Sequence, residues 1–176
     1  MCSNPARNFS VTTIAFDGNT LAADSQTTQE NIRLSNSAVK IFTRVAQSDD
    51  WAIEGKRITA FGVAGNLHAA NDLRRAMETF AGHKAGDPFA KGITFAFIAI
   101  AEDRTVFVGG KYSDDDRSWV VEAQAPVAVG SGGDFAMGAM AAGATAEQAV
   151  EIAARFDVNT GGLVQAINLA KSPITD

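Results

Sequence analysis

VTTIAFDGNTLAADSQTT, residues 11–28, is the stretch on which the fold turns. Its first half is rich in β-branched residues, Asp17-Gly18-Asn19 supplies turn chemistry, and NTLAADS runs back to end near Asp24. That is the pattern of a β-hairpin. Its head poses a chemical alternative: Thr12 is either an ordinary strand residue or a hydroxyl that becomes the first residue of a mature chain.

The pattern continues outward from this hairpin. IRLSNSAVKIF offers two short strands on either side of SNS, and ITAFGVAG a strand that ends in glycine. NLHAANDLRRAMETFAGH follows, with Leu67, Ala70, Leu73, Met77 and Phe80 at helical spacing, and it is predicted as a helix. TFAFIAIAED, TVFVGGK and SWVVEAQ read as three consecutive strands. VAVGSGGDFAMGAMAAG reads as a strand, a glycine turn and a helix. ATAEQAVEIAARF is a third helix, with Thr145 as its N-cap and Glu147 in its first turn, and GLVQAINLA a last strand. Segregated runs of strands and helices predict an α+β domain, with two antiparallel sheets stacked face to face and helices on their outer faces.

Composition bounds the function. A chain of 176 residues with 46% hydrophobic and 20% charged residues suits one soluble domain with a sizeable core. A net charge of -5 without a basic run argues against nucleic acid as a partner. No apolar run reaches membrane-spanning length and MCSNPARNFSV lacks a signal-peptide core, so a cytoplasmic protein with no membrane partner is expected. The single cysteine, Cys2, excludes an internal disulfide and a cysteine-based zinc site.

Several motifs are weak when taken singly. GSGG at 130–133 lacks the Lys-Ser/Thr of a phosphate loop and reads as a turn. Asp114, Asp115 and Asp116 read as a solvated loop, and His68 and His83 as surface or packing residues, so no metal site is expected. Cys2 is a nucleophile candidate only if Met1 is removed. Asp24 and Lys40 alone are an ordinary ion pair, and Gly65 alone is a turn.

Read in order, however, TTIAF, AADSQTT, VKIF, FGVAG, VGSGG and DVNTGG resemble the proteasome β-subunit and HslV peptidase family, the N-terminal nucleophile hydrolases, from about Ser10 to Leu169. The resemblance implies the four-layer αββα sandwich of that fold. Residues 1–11 would then be an extension or propeptide, and 12–176 a single domain. It implies a threonine-type endopeptidase that needs no cofactor and cleaves peptides or unfolded proteins. Homo-oligomeric stacked rings would hide the sites, and an ATP-dependent unfoldase would serve as partner.

By the same resemblance Thr12 is the nucleophile, followed by Thr13 and Ile14. Asp24 and Lys40 are its catalytic aspartate and lysine, and Gly65 the oxyanion donor. Ser131, Asp157 and Thr160 are the auxiliary group. Thr28 lines the substrate cleft, and Val63 floors the pocket for the side chain before the cut bond. The roles are chemically coherent. A threonine hydroxyl needs a base within hydrogen-bond reach. A free α-amine, with a reference pKa of about 7.7–8.0, can supply it, and a neighbouring lysine disfavours a second positive charge there.

Two features depart from that pattern. The hairpin from Thr12 to Asp24 is short for a proteasome subunit, and Val11, rather than glycine, precedes the threonine. Two alternatives follow: a catalytically silent ring subunit sealed by its uncut extension, or an amidase of the same fold acting on a small amide.

Overall fold

The computed structural model describes residues 12–29, 32–44, 50–66 and 68–170. Cys2, Val11 and Leu67, and with them the extension 1–11, lie outside the described residues. The opening stretch is the expected hairpin: β1 (Thr13–Phe16) pairs antiparallel with β2 (Thr20–Ala23), placing Ile14 opposite Ala23. At its turn the Asp17 carboxylate accepts hydrogen bonds from the Asn19 and Thr20 amides, both at 2.8 Å.

This hairpin is the middle of a four-stranded antiparallel sheet. β11 (Val127–Gly130) lies against β1, and β12 (Gln165–Asn168) against β2. A second antiparallel sheet runs in the order β10 (Trp119–Ala123), β9 (Val106–Lys111), β8 (Phe95–Ala101), β7 (Lys56–Gly65), β5 (Ile41–Thr43). The short β6 (Ala52–Ile53) also pairs with β7, and β3 (Thr27–Gln29) with β4 (Ile32–Ser35) forms a separate hairpin.

Strand alternation explains how the sheets pack. Ile14, Phe16 and Leu21 point from the first sheet onto Ile41, Ala60, Ile98 and Ile100 of the second, forming a core between them. Ala15 and Ala22 point the other way. Being small, they let α2 (Gly133–Ala141) and α3 (Ala146–Phe156) approach through Ala136, Met140, Ala149 and Val150. β8, FAFIAIA, is apolar at every position because both its faces are covered. The α+β class with antiparallel sheets follows from these contacts, and no helix among the described residues is long and apolar enough to cross a membrane.

Helix α3 begins as its sequence indicates. Thr145 caps it in a capping box with Gln148, and Glu147 lies in its first turn. The Asp17 carboxylate adds a further acceptor for the Ala146 amide at 2.9 Å, joining the first hairpin to the helix start.

The first helix corrects an expectation. It spans Ala69–Met77 instead of running to residue 83, and Phe80, expected on its apolar face, is fully exposed. The Thr79 hydroxyl donates to the Ala76 carbonyl at 2.9 Å. The chain is then captured by β6, where the His83 amide donates to the Ala52 carbonyl at 2.8 Å. Nine residues are too few for a helix stable by itself. Burial of Ala69, Leu73 and Met77 against Phe61, Phe95 and Phe97 holds it, at about 1.5–3 kcal/mol for each large side chain.

Candidate active site

Thr12 lies immediately before β1, almost wholly buried, with its backbone at φ +135°. That region is unfavourable for a β-branched residue and costs roughly 1–3 kcal/mol, so the surrounding fold must hold it. Gly130 is part of that hold. It lies opposite Thr13, and a Cβ there would fall 1.8 Å from the Thr12 carbonyl oxygen, so only glycine admits this approach.

The hairpin brings Asp24 back beside the threonines. One of its carboxylate oxygens accepts from the Thr13 amide at 3.1 Å and from Lys40 Nζ at 2.8 Å. The other accepts from the Gln26 amide at 3.1 Å and the Gly161 amide at 2.9 Å. Lys40 also donates to the Gln26 carbonyl. Both charged side chains are buried, at 7% and 1% exposure, which is tolerable because each is paired and hydrogen-bonded. Burial lowers the Lys40 pKa below the usual lysine range, while Asp24 acts to raise it.

A second polar chain meets β1 from α3. Asp157 at the helix end accepts from Ser131 Oγ and Thr160 Oγ1, both at 2.6 Å. Thr160 Oγ1 is in turn 2.7 Å from Thr13 Oγ1. Ser131, Asp157 and Thr160 thus converge on the head of β1, from positions more than a hundred residues away in sequence.

A pocket of about 370 Å³ of empty volume opens beside Thr12, lined by Lys40, Val63, Gly65, Thr27, Phe42 and Ala70 among others. Strand alternation orients the Gly65 amide. The Val63 amide donates to the Lys40 carbonyl on the β5 side, and the Asn66 amide to the Thr94 carbonyl on the β8 side. The Gly65 N–H, two residues after Val63, therefore turns to the β5 side. It lies beyond the end of β5 and faces the pocket. Gly65 itself has φ +113°, and a Cβ there would lie 2.5 Å from the Thr94 carbonyl oxygen.

The structure thus places Thr12, Lys40, Val63 and Gly65 on one pocket, with Asp24 bonded to Lys40, and with Ser131, Asp157 and Thr160 bonded to one another and to Thr13. Thr28 is placed differently. Its hydroxyl donates to Asn159 Oδ1 at 3.3 Å, and it lines a neighbouring cavity with Gln26, Arg33 and Val158, whereas Thr27 lines the Thr12 pocket. Sequence reasoning missed the Gly161 amide and the Thr13 hydroxyl. The Gly161-Gly162 pair was the one local sign that backbone approaches closely there, since a Cβ on Gly161 would lie 2.5 Å from Gln26 Oε1. Asp114, Asp115 and Asp116 lie on an exposed turn. Among the described residues no three His, Cys, Asp or Glu side chains converge as a metal site.

Fold and site together define an α+β domain with a strand-head threonine beside a buried carboxylate–lysine pair. No protein-family model and no curated protein matches the chain. Among solved structures it is similar to Thiobacillus denitrificans BPH, with a TM-score of 0.57 and 18% identity over 93% of this chain and 100% of that one. It is also similar to Thiobacillus denitrificans BPH in complex with epoxomicin, with a TM-score of 0.57 and 21% identity over the same shares. At these identities the likeness is one of fold.

Proposed function

We propose that this chain is a threonine-type peptidase subunit with the four-layer sandwich of the N-terminal nucleophile hydrolases, acting once Thr12 is the first residue. The observation that carries the reading is the Asp24 carboxylate. It joins the Lys40 ammonium to the Thr13 amide at the edge of a pocket that Thr12 lines. The neighbour bound to epoxomicin, a proteasome inhibitor, supports the same chemistry. The Thr12 backbone supports exposure of the terminus, because the unfavourable φ torsion ceases to exist when the Val11–Thr12 bond is cut.

In this mechanism the Thr12 α-amine takes the proton of the Thr12 hydroxyl as Oγ1 attacks the substrate carbonyl carbon. Lys40 favours the neutral amine by charge repulsion, and Asp24 keeps Lys40 in position. The Gly65 N–H stabilises the oxyanion, a type of donor worth about 2.7–4 kcal/mol. Collapse breaks the C–N bond, and the α-ammonium returns its proton to the leaving amine. Water, deprotonated by the same amine, then hydrolyses the ester to a carboxylate and restores Oγ1–H. Ser131 and Asp157 orient the terminus.

Homo-oligomeric rings in the cytoplasm, fed by an ATP-dependent unfoldase, complete the proposal. Phe135 and Phe156, stacked at 5.5 Å and exposed beside Val158, provide apolar surface for contact between copies. The test is the intact mass and N-terminal sequence of the purified protein, read with hydrolysis of apolar peptides. A chain beginning at Thr12 that cleaves them is expected. A chain retaining residue 11 in assembled rings, with no hydrolysis, would replace this reading with that of a sealed, silent subunit.

A further inference from the structure

A second cavity, of about 730 Å³ of empty volume, lies on the other flank of Gly65. It is lined by Gly65, Gly130, Ser131, Thr94, Lys111 and Trp119 among others. Gly65 lines both cavities; Thr12 lines the first, and Gly130, which lies against the Thr12 carbonyl, lines the second.

Its polar groups are unusual. Lys111 is 1% exposed, and its Nζ donates to two backbone carbonyls, Ile93 at 2.8 Å and Tyr112 at 3.1 Å. Among the described residues no carboxylate lies within 4 Å of it, and one of its three N–H groups is left over. Two more polar atoms on the lining residues, Thr94 Oγ1 and Trp119 Nε1, are shielded from solvent without any hydrogen-bond partner. Among the described residues, a buried ammonium bonded only to neutral carbonyls and two orphaned O–H and N–H groups thus belong to three residues that line one cavity. Such groups in a folded protein call for a partner. All three can donate, so the missing partner is an acceptor, and the lysine calls for a negative one.

We infer that this cavity binds a carboxylate of the substrate on the leaving-group side of the cut bond, with Lys111 as its counter-ion and Thr94 and Trp119 as further donors. The assignment of sides rests on the peptidase reading, in which the Val63 pocket takes the residue before the cut. The carboxylate has two sources: an acidic side chain just after the cut bond, or the free C-terminus of a short leaving fragment. The first makes the protein an endopeptidase cutting before acidic residues, the second one that releases C-terminal fragments.

Four peptides separate these, identical before the cut bond and carrying after it Glu amide, Gln amide, Gly with a free carboxylate, or Gly amide. With the full chain, kcat/KM is expected to favour one carboxylate peptide over its amide partner by about tenfold or more, the scale of one charge-assisted hydrogen bond. In Lys111→Met that ratio falls to near one, and Trp119→Phe and Thr94→Val lower it while the fold is retained. Equal rates within both pairs, or a ratio unchanged in all three variants, overturn the inference and leave the peptidase reading intact. The same peptides are titrated calorimetrically into Thr12→Ala. Carboxylate binding there that Lys111→Met abolishes upholds the inference even if no peptide is cut, an outcome that would sink the proposed function alone. Absence of such binding together with absence of cleavage overturns both.

Discussion

Lys40 and Lys111 are both buried lysines at strand ends that flank Gly65, and the fold treats them differently. Lys40 meets a carboxylate, Asp24, which is itself held by three backbone amides. Among the described residues Lys111 meets only carbonyl oxygens. The first is a closed electrostatic unit whose parts fix one another, suited to holding a reacting group in place. The second lines a cavity with no carboxylate beside it among the described residues, which suits recognition of something that arrives. Low dielectric raises the cost of leaving either unmatched.

The comparison breaks most sharply through activity. Thr12→Ala should reduce peptide hydrolysis by about a thousandfold or more, with Lys40→Ala close behind, while sedimentation shows assembly unchanged. Retained hydrolysis in Thr12→Ala would end the nucleophile assignment. Next in size is stability. Lys40→Met strands the Asp24 carboxylate in the interior and should cost about 3–5 kcal/mol in a urea melt. Lys111→Met strands neutral carbonyls alone and should cost about 1–3 kcal/mol. Equal losses would show that the two lysines are matched alike.

Smaller still is Ser131→Ala. Asp157 keeps its bonds from Thr160 Oγ1 and the Asn159 amide, so stability should fall by only about 0.5–1.5 kcal/mol. Peptide turnover should fall further, in proportion to Ser131's role at the terminus, and a loss confined to stability would remove it from that role.

The smallest effect is in pH. His83 is buried among Phe89 and Phe97, and burial lowers its pKa below 6.5 against the opposing pull of Asp87 and Glu54. The unfolded chain therefore takes up this proton first as pH falls. The stability of neutral His83 is fully present above pH 6.5 and is lost as pH drops through the folded pKa. For Asp17, burial raises the pKa but the Thr20, Ala146 and Asn19 amides outweigh it, so the net shift is downward from 3.8. Its contribution disappears only below that pH. Urea midpoints between pH 7 and 5 should thus decline in the native chain and flatten in His83→Gln; a decline that persists in the variant would place its source elsewhere.

Much of this was legible in the chain. The β-branched run and Asp17-Gly18-Asn19 turn of the first hairpin, the strand in TFAFIAIAED and the Thr145 cap each name their own structure, because turn, strand and helix signals are local. Phe80 was misread for the complementary reason. Its spacing continued the helix, but capture of His83 by β6 ended that helix, and no local pattern reports a competing strand thirty residues upstream.

The site divides the same way. By itself the sequence determined the hairpin and the apolar faces that stack the layers, and it set Thr12, Asp24, Lys40 and Gly65 in an order that resembles a threonine peptidase's. Only the tertiary structure decided that Gly161 helps hold Asp24, that Thr27 and not Thr28 lines the Thr12 pocket, and that Lys111 is buried with no carboxylate beside it among the described residues. Those outcomes depend on the register of strands far apart in the chain. A shift of one residue exchanges which side chain faces a cavity and which faces a sheet, and short-range pattern carries no record of that choice.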